Sequence, residues 1–195
     1  MGLKFVLDRI VSLIGIIILI WLFIILFILI KIRMPGPAFF IQYRVGKNGK
    51  LFTIYKFRTM KTDTPKDMPT HMLEDPQSHI TKLGRFLRKT SLDELPQLFN
   101  ILFGQMSIVG PRPALWNQDD LVAERDKYNA NSIRPGLTGW AQINGRDALY
   151  IPDKARYDGD YYRKQSLLFD LKIILKTAIS ILKSDGNIEG GTGRK

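Results

Sequence analysis

The stretch from Ile10 to Ile30, IVSLIGIIILIWLFIILFILI, contains neither a charged residue nor a proline. Wound into an α-helix it extends roughly 30 Å, about the thickness of a bilayer's hydrocarbon layer. It is apolar on every side, unlike the helices of soluble domains of this size, so lipid must cover part of it. A cleaved leader would have a shorter apolar region and a small-residue cleavage site, whereas Lys31-Ile32-Arg33 follows here. Lys31, Arg33, Arg44, Lys47 and Lys50 follow the run and only Lys4 and Arg9 precede it. That asymmetry predicts that the body of the chain lies on the cytoplasmic face of the cell membrane. On these residues alone a single spanning helix is the economical topology, since Gly15 is the one helix-loosening residue in the run.

Beyond the run, about 160 residues remain, enough for one modest core. The formal net charge of +11 favours anionic partners: a phospholipid surface, nucleic acid or phosphorylated small molecules. The cations are dispersed instead of forming one polybasic block, which argues against nucleic acid. The chain has no cysteine, so disulfides and thiol chemistry are excluded, and this fits a reducing compartment. His71 and His79 are the only histidines and both lie in a polar stretch, a poor basis for a zinc site.

Met34-Pro35-Gly36-Pro37 must end the first helix, because proline lacks the N–H donor and disfavours helical dihedrals before it. Ala38–Ile41 and Leu51–Tyr55 are aromatic and β-branched, and Gly46-Lys47-Asn48-Gly49 between them predicts a β-hairpin. Met60 to Ser78 is polar, interrupted by Pro65, Pro69 and Pro76, and reads as a long mobile loop of the kind that covers a site. Thr81 to Lys89 is a basic amphipathic helix with Leu83, Phe86 and Leu87 on one face, suited either to a headgroup layer or to a core. A helix is predicted from Ser91 to about Leu102, ending at Gly104, and a third amphipathic helix over Leu167–Lys183. The glycine-rich end, Gly186 to Lys195, is expected to be a flexible tail. The domain plan is therefore a membrane helix (1–34), one catalytic domain (35–185) and a tail (186–195).

Ser91, with Glu94 three residues later, fits a capping box, which would make Glu94 a cap and Asp93 a surface acid. The chemical alternative places Asp93 in a first helical turn, where the N-terminus keeps a carboxylate ionised beside a phosphate site. There it could act as a nucleophile, and its neighbour could help hold a divalent cation. Arg112 stands between Pro111 and Pro113, a stiff setting that suits a phosphate clamp, or alternatively a rigid turn paired with an internal acid. Arg134-Pro135-Gly136 repeats the pairing. Tyr55-Lys56-Phe57-Arg58 alternates aromatic and basic residues, as a strand with two distinct faces would. Gln142, Asn144 and Arg146, among glycines, suit recognition of a nucleobase or sugar, although many surface loops look similar.

Taken in order, these segments resemble the bacterial sugar transferases known as monotopic phosphoglycosyl transferases. The resemblance rests on Pro35-Gly36-Pro37, Ile54–Met60, Ser91–Leu98, Val109–Pro113, Arg134–Gly139 and Gln142–Arg146, which span nearly the whole chain. It implies an α/β fold: a small membrane-associated domain with an N-terminal re-entrant helix, a β-hairpin and interfacial amphipathic helices. It also implies transfer of a sugar-1-phosphate from a UDP-sugar to undecaprenyl phosphate, releasing UMP through a phosphosugar-aspartyl intermediate and so initiating a glycan. Asp93 would be the nucleophile and Glu94 its partner, the two carboxylates holding Mg²⁺. Arg112, Lys56, Arg58, Arg88, Arg134, Gln142, Asn144 and Arg146 would bind substrate, with a homodimer as the one further partner considered. The family's re-entrant helix breaks at a Ser-Pro pair, where this chain has Trp21-Leu22, which lends weight to a spanning helix. The competing reading is a non-catalytic, membrane-anchored basic protein that binds anionic lipid or nucleic acid.

Overall fold

The computed structural model describes residues 2–65, 67–68, 73, 75–145 and 148–183. Helix α1 (Gly2–Arg33) is uninterrupted, Trp21-Leu22 included. Its buried positions, Asp8, Ser12, Ile16, Phe23, Leu26 and Ile30, recur at helical spacing and form one face. The remaining aliphatic side chains, such as Ile17, Ile24 and Ile28, are exposed.

Both ends of α1 rest on the rest of the chain. Near its start, Lys4 Nζ lies 2.6 Å from Asp170 Oδ2, Ser107 Oγ donates to Asp8, and Ser12 Oγ donates to the Leu98 carbonyl. Near its end, Phe23, Leu26, Ile30 and Met34 share a core with Phe57 and Leu87. The helix therefore lies along the domain over its length, and it runs through Trp21-Leu22 without the break that the resemblance led one to expect.

The hairpin pairs β1 (Phe39–Val45) with β2 (Leu51–Phe57) in antiparallel register, Phe40 opposite Lys56 and Gln42 opposite Ile54. Its turn passes through Asn48 and Gly49 at positive φ, a conformation those residue types adopt at low cost. Both strands outrun the predicted spans. Loop 60–78 is closed at its base by a bridge between Met60 and Ile80, and contains the short helix α2 (Pro76–His79). Mobility and a covering role for this loop fall partly outside the described residues, as does the tail.

Helix α3 (Lys82–Lys89) starts where Thr81 Oγ1 accepts from the Gly84 N–H. It approaches so closely that a Cβ on Gly84 would stand 1.9 Å from the Thr59 carbonyl oxygen. Leu83 and Leu87 face the core, whereas Phe86 is exposed, off the face to which the periodicity assigned it. One continuous helix from Ser91 does not form. Leu92–Glu94 is a 3₁₀ turn, and α4 (Gln97–Leu102) follows it. Pro96 supplies the reason, because it has no N–H to return to the Leu92 carbonyl; Leu95 N–H takes that carbonyl instead, at 3.3 Å.

The second half contains elements too short or too polar to stand out in sequence. Strands β3 (Ser107–Val109) and β4 (Gly136–Thr138) pair in parallel. Around them lie α5 (Asp119–Asp126), α6 (Trp140–Ile143), α7 (Ile151–Lys164) and α8 (Leu167–Lys183), the last with the predicted bounds. Tyr161 O–H donates to the Asp170 carboxylate and the Val109 carbonyl, tying α7 to α8 and β3. Burial and the Asp170 charge push its phenol far above the ordinary value.

Candidate active site

A cavity of about 710 Å³ opens between the hairpin, α3, the 3₁₀ turn and the segment around Arg112. Its described lining contains two acids, Asp93 and Glu94, against eight lysines and arginines. Such a surplus in a partly enclosed cavity concentrates positive potential and suits a polyanion such as a diphosphate.

The 3₁₀ turn places both acids. Ser91 adopts a left-handed conformation (φ 57°) and its side chain makes no capping bond, so the capping-box reading is overturned. Glu94 is not a cap. Its Oε1 lies 2.7 Å from Lys56 Nζ and 3.2 Å from Arg112 Nη1, one carboxylate oxygen holding two cations from different elements. Asp93 is buried, 8% exposed, and faces the same cavity. The helix-dipole expectation for Asp93 does not apply: it sits in a single 3₁₀ turn, among the cations of the cavity.

Arg88, on the last turn of α3, reaches the cavity and donates from Nε to Thr59 Oγ1 at 2.8 Å. Arg58 lines the cavity too, but Nη2 donates to the carbonyls of Met34 and Pro35, so this buried arginine ties the end of α1 to β2. Burial lowers its pKa from the ordinary value. Gln142 is buried on α6, donating from Nε2 to the Leu137 carbonyl, with Oε1 lacking a partner among the described residues and its side chain at the cavity wall.

Two proposed ligand contacts stand elsewhere. Arg134 donates from Nε to the Gly104 carbonyl at 2.8 Å and stacks over the Phe5 ring at 3.9 Å, fastening the start of α1. Burial and nearby Arg9 lower its pKa. Asn144 donates back to the Trp140 carbonyl at the end of α6 and does not line the cavity. Arg146 lies outside the described residues. In their place the cavity has Arg125 and Lys154, from α5 and α7, which nothing in the sequence singled out. Arg125 is 3% exposed and holds Asp158, 1% exposed, through Nε at 2.8 Å and Nη2 at 2.6 Å. Burial pushes the Asp158 carboxyl up, and Arg125 pulls against it. The partners are far apart in sequence, and the local pattern Asp-Asp-Leu-Val-Ala-Glu-Arg-Asp gives no reason to choose that arginine.

The donor set fits Mg²⁺. That ion takes one or two carboxylates and completes its shell with substrate phosphate and water. Asp93 and Glu94 would supply the carboxylates, and among the described residues no cluster of three acids or histidines exists to form a complete protein cage.

The profile of a family described as bacterial sugar transferase matches residues 1–184. The chain belongs to that family. It is 43% identical over 157 residues to the uncharacterized sugar transferase EpsL of Bacillus subtilis, covering 80% of this chain and 76% of that protein. A UDP-glucose:undecaprenyl-phosphate glucose-1-phosphate transferase of Escherichia coli is 42% identical over 162 residues, 76% of this chain and 33% of its own length. An undecaprenyl-phosphate galactose phosphotransferase of Salmonella typhimurium is 38% identical over 168 residues, 79% of this chain and 35% of its own. The sugar transferase chain thus spans about a third of the length of these last two relatives. Its membrane association follows from the family and from α1, the one described helix long and apolar enough to cross a bilayer.

Proposed function

We propose that this sugar transferase moves a sugar-1-phosphate from a UDP-sugar to undecaprenyl phosphate at the cytoplasmic face of the cell membrane, initiating a glycan. The observation that carries the proposal is the electropositive cavity in which Asp93 and Glu94 are the only acids among the described lining residues. A phospholipid or nucleic-acid binder has no use for two acids in the lining of a cationic cavity, so the binding-protein alternative is not favoured. The names of the relatives supply the two substrates.

In the first step an Asp93 carboxylate oxygen attacks the β-phosphorus of the UDP-sugar. The bond from that phosphorus to the bridging oxygen breaks, and UMP departs with the oxygen and its electron pair. The sugar phosphate is left as an acyl phosphate on Asp93. In the second step an oxygen of the lipid phosphate attacks the same phosphorus, the bond to Asp93 breaks, and the carboxylate is restored as the lipid-linked diphosphate sugar leaves. Arg112 and Arg88 compensate the phosphate charge, and Lys56 with Glu94 keeps the positions of those charges fixed. Mg²⁺, held by Asp93 and Glu94, would neutralise the diphosphate. Splitting the reaction lets one site serve a water-soluble donor and then a lipid-bound acceptor.

Enzyme given UDP-sugar and Mg²⁺ but no lipid phosphate is expected to release a burst of UMP approaching one equivalent. Absence of a burst, with full turnover once acceptor is added, would mean direct attack by the lipid phosphate.

A further inference from the structure

The cavity is not walled by charge alone. At its hairpin side it is lined by Pro37, Phe39, Phe40 and Ile41, the residues that directly follow the exit from α1. Strand alternation divides them between two faces. Phe40 is half-buried on the inner face, opposite Lys56 and hence beside the Lys56–Glu94 pair. Phe39 and Ile41 are on the outer face, 39% and 55% exposed. Phe39 stacks on Phe57 with centroids 5.3 Å apart and meets Phe27 of α1 at 5.9 Å. Phe27 belongs to the exposed apolar surface of α1. An apolar track therefore runs from the membrane helix, over the edge of β1, to the wall of the cavity that Asp93 and Glu94 also line. Among the described residues the outer edge of β1 is bridged further along, at Arg44 with Leu115.

We propose that this rim, Phe39-Phe40-Ile41, binds the first isoprene units of the acceptor lipid as its phosphate reaches Asp93. The inference rests on the proposed function and adds the location of the acceptor. The occupant must be apolar where it meets Phe39 and Ile41, anionic where it meets Lys56, Arg88 and Arg112, and continuous with lipid. A polyprenyl phosphate has that order of chemistry along its length, whereas a UDP-sugar offers no apolar end to the rim. The track enters beside α1, which keeps the acceptor in lipid until its headgroup arrives.

The test compares acceptors of different chain length. Wild-type enzyme and Ile41→Gln are assayed with UDP-sugar and either undecaprenyl phosphate or methyl phosphate, a short-chain acceptor with no isoprene unit, and kcat/KM is taken for each acceptor. Ile41 is largely exposed, so its substitution spares the core; Phe39→Leu, which keeps an apolar side chain over Phe57, serves as the second variant. The ratio of long-chain to short-chain kcat/KM is expected to fall about tenfold in Ile41→Gln, as loss of one well-buried apolar contact implies, and less in Phe39→Leu. Equal losses for both acceptors in both variants would indicate general damage and overturn the assignment. An unchanged ratio accompanied by loss of a dimer in solution would give the rim to a second copy of the chain and overturn it as well. A UMP burst from wild-type enzyme without acceptor separates these outcomes from failure of the proposed reaction itself.

Discussion

Asp93→Asn is expected to reduce kcat by about four orders of magnitude or more, the usual cost of removing a covalent nucleophile. The substitution keeps the size and shape of a buried side chain and removes only its capacity to attack as an anion, so the variant should still fold and bind UDP-sugar. Its UMP burst should vanish together with steady-state turnover. The neighbouring acid cannot take over. Glu94 is held through Oε1 by Lys56 and Arg112, and moving it to the phosphorus would dismantle that arrangement. Steady-state assay of purified enzyme in detergent or nanodiscs decides the matter, and an Asp93→Asn variant retaining a tenth of wild-type turnover would exclude this residue as nucleophile.

The second large effect concerns a residue the proposed chemistry never touches. Asp158→Ala should destabilise the protein by about 3–5 kcal/mol, the cost of leaving a buried charge without its partner. The size of the effect follows from burial: Arg125 and Asp158 are 3% and 1% exposed, so water cannot replace either side of the pair. For a chain of this length that corresponds to a fall in melting temperature on the order of 10 °C. An apolar double replacement, Arg125→Met with Asp158→Leu, should recover most of the loss, because no buried charge then remains. The double variant would still lose activity, since Arg125 lines the cavity. Thermal melts of the three proteins provide the check. A single variant that melts within 2 °C of wild type would show the pair to be hydrated and the packing of α5 on α7 to be looser than described.

The parts of the fold that sequence disclosed are those governed by local periodicity. Helix α8 repeats Ile and Leu at helical spacing between lysines, and its bounds could be read directly. The hairpin was equally legible, because aromatic and β-branched residues flank a turn of Gly and Asn. Periodicity fails where one residue overrides it. Pro96 withholds a donor and turns the expected helix from Ser91 into a 3₁₀ turn followed by α4, and with that Ser91 loses its capping role. It fails again where pairing is non-local: β3 and β4 have three residues each and meet across a long separation in sequence.

The candidate site divides along the same line. Asp93, Glu94, Lys56 and Arg112 could be singled out by residue type and context, and Arg88 through the resemblance, and the fold gathers them around one cavity. Proline context misled at Arg134, whose guanidinium fastens α1 instead of facing the cavity. Arg125 and Asp158 were missed because α7, Ile-Pro-Asp-Lys-Ala-Arg-Tyr-Asp-Gly-Asp-Tyr-Tyr-Arg-Lys, looks like a solvated helix although Asp158, Gly159 and Tyr161 are buried. A charge that will be buried opposite another cannot be told from a surface charge without knowing which helices meet.

Intact-protein mass spectrometry after rapid acid quench tests the central claim most directly. Wild-type enzyme mixed with UDP-sugar and Mg²⁺ in the absence of lipid phosphate should gain the mass of one sugar phosphate, carried on the peptide containing Asp93. Addition of undecaprenyl phosphate should discharge it. A polypeptide of unchanged mass throughout, in a sample that goes on to make lipid-linked product at its full rate, would contradict the account.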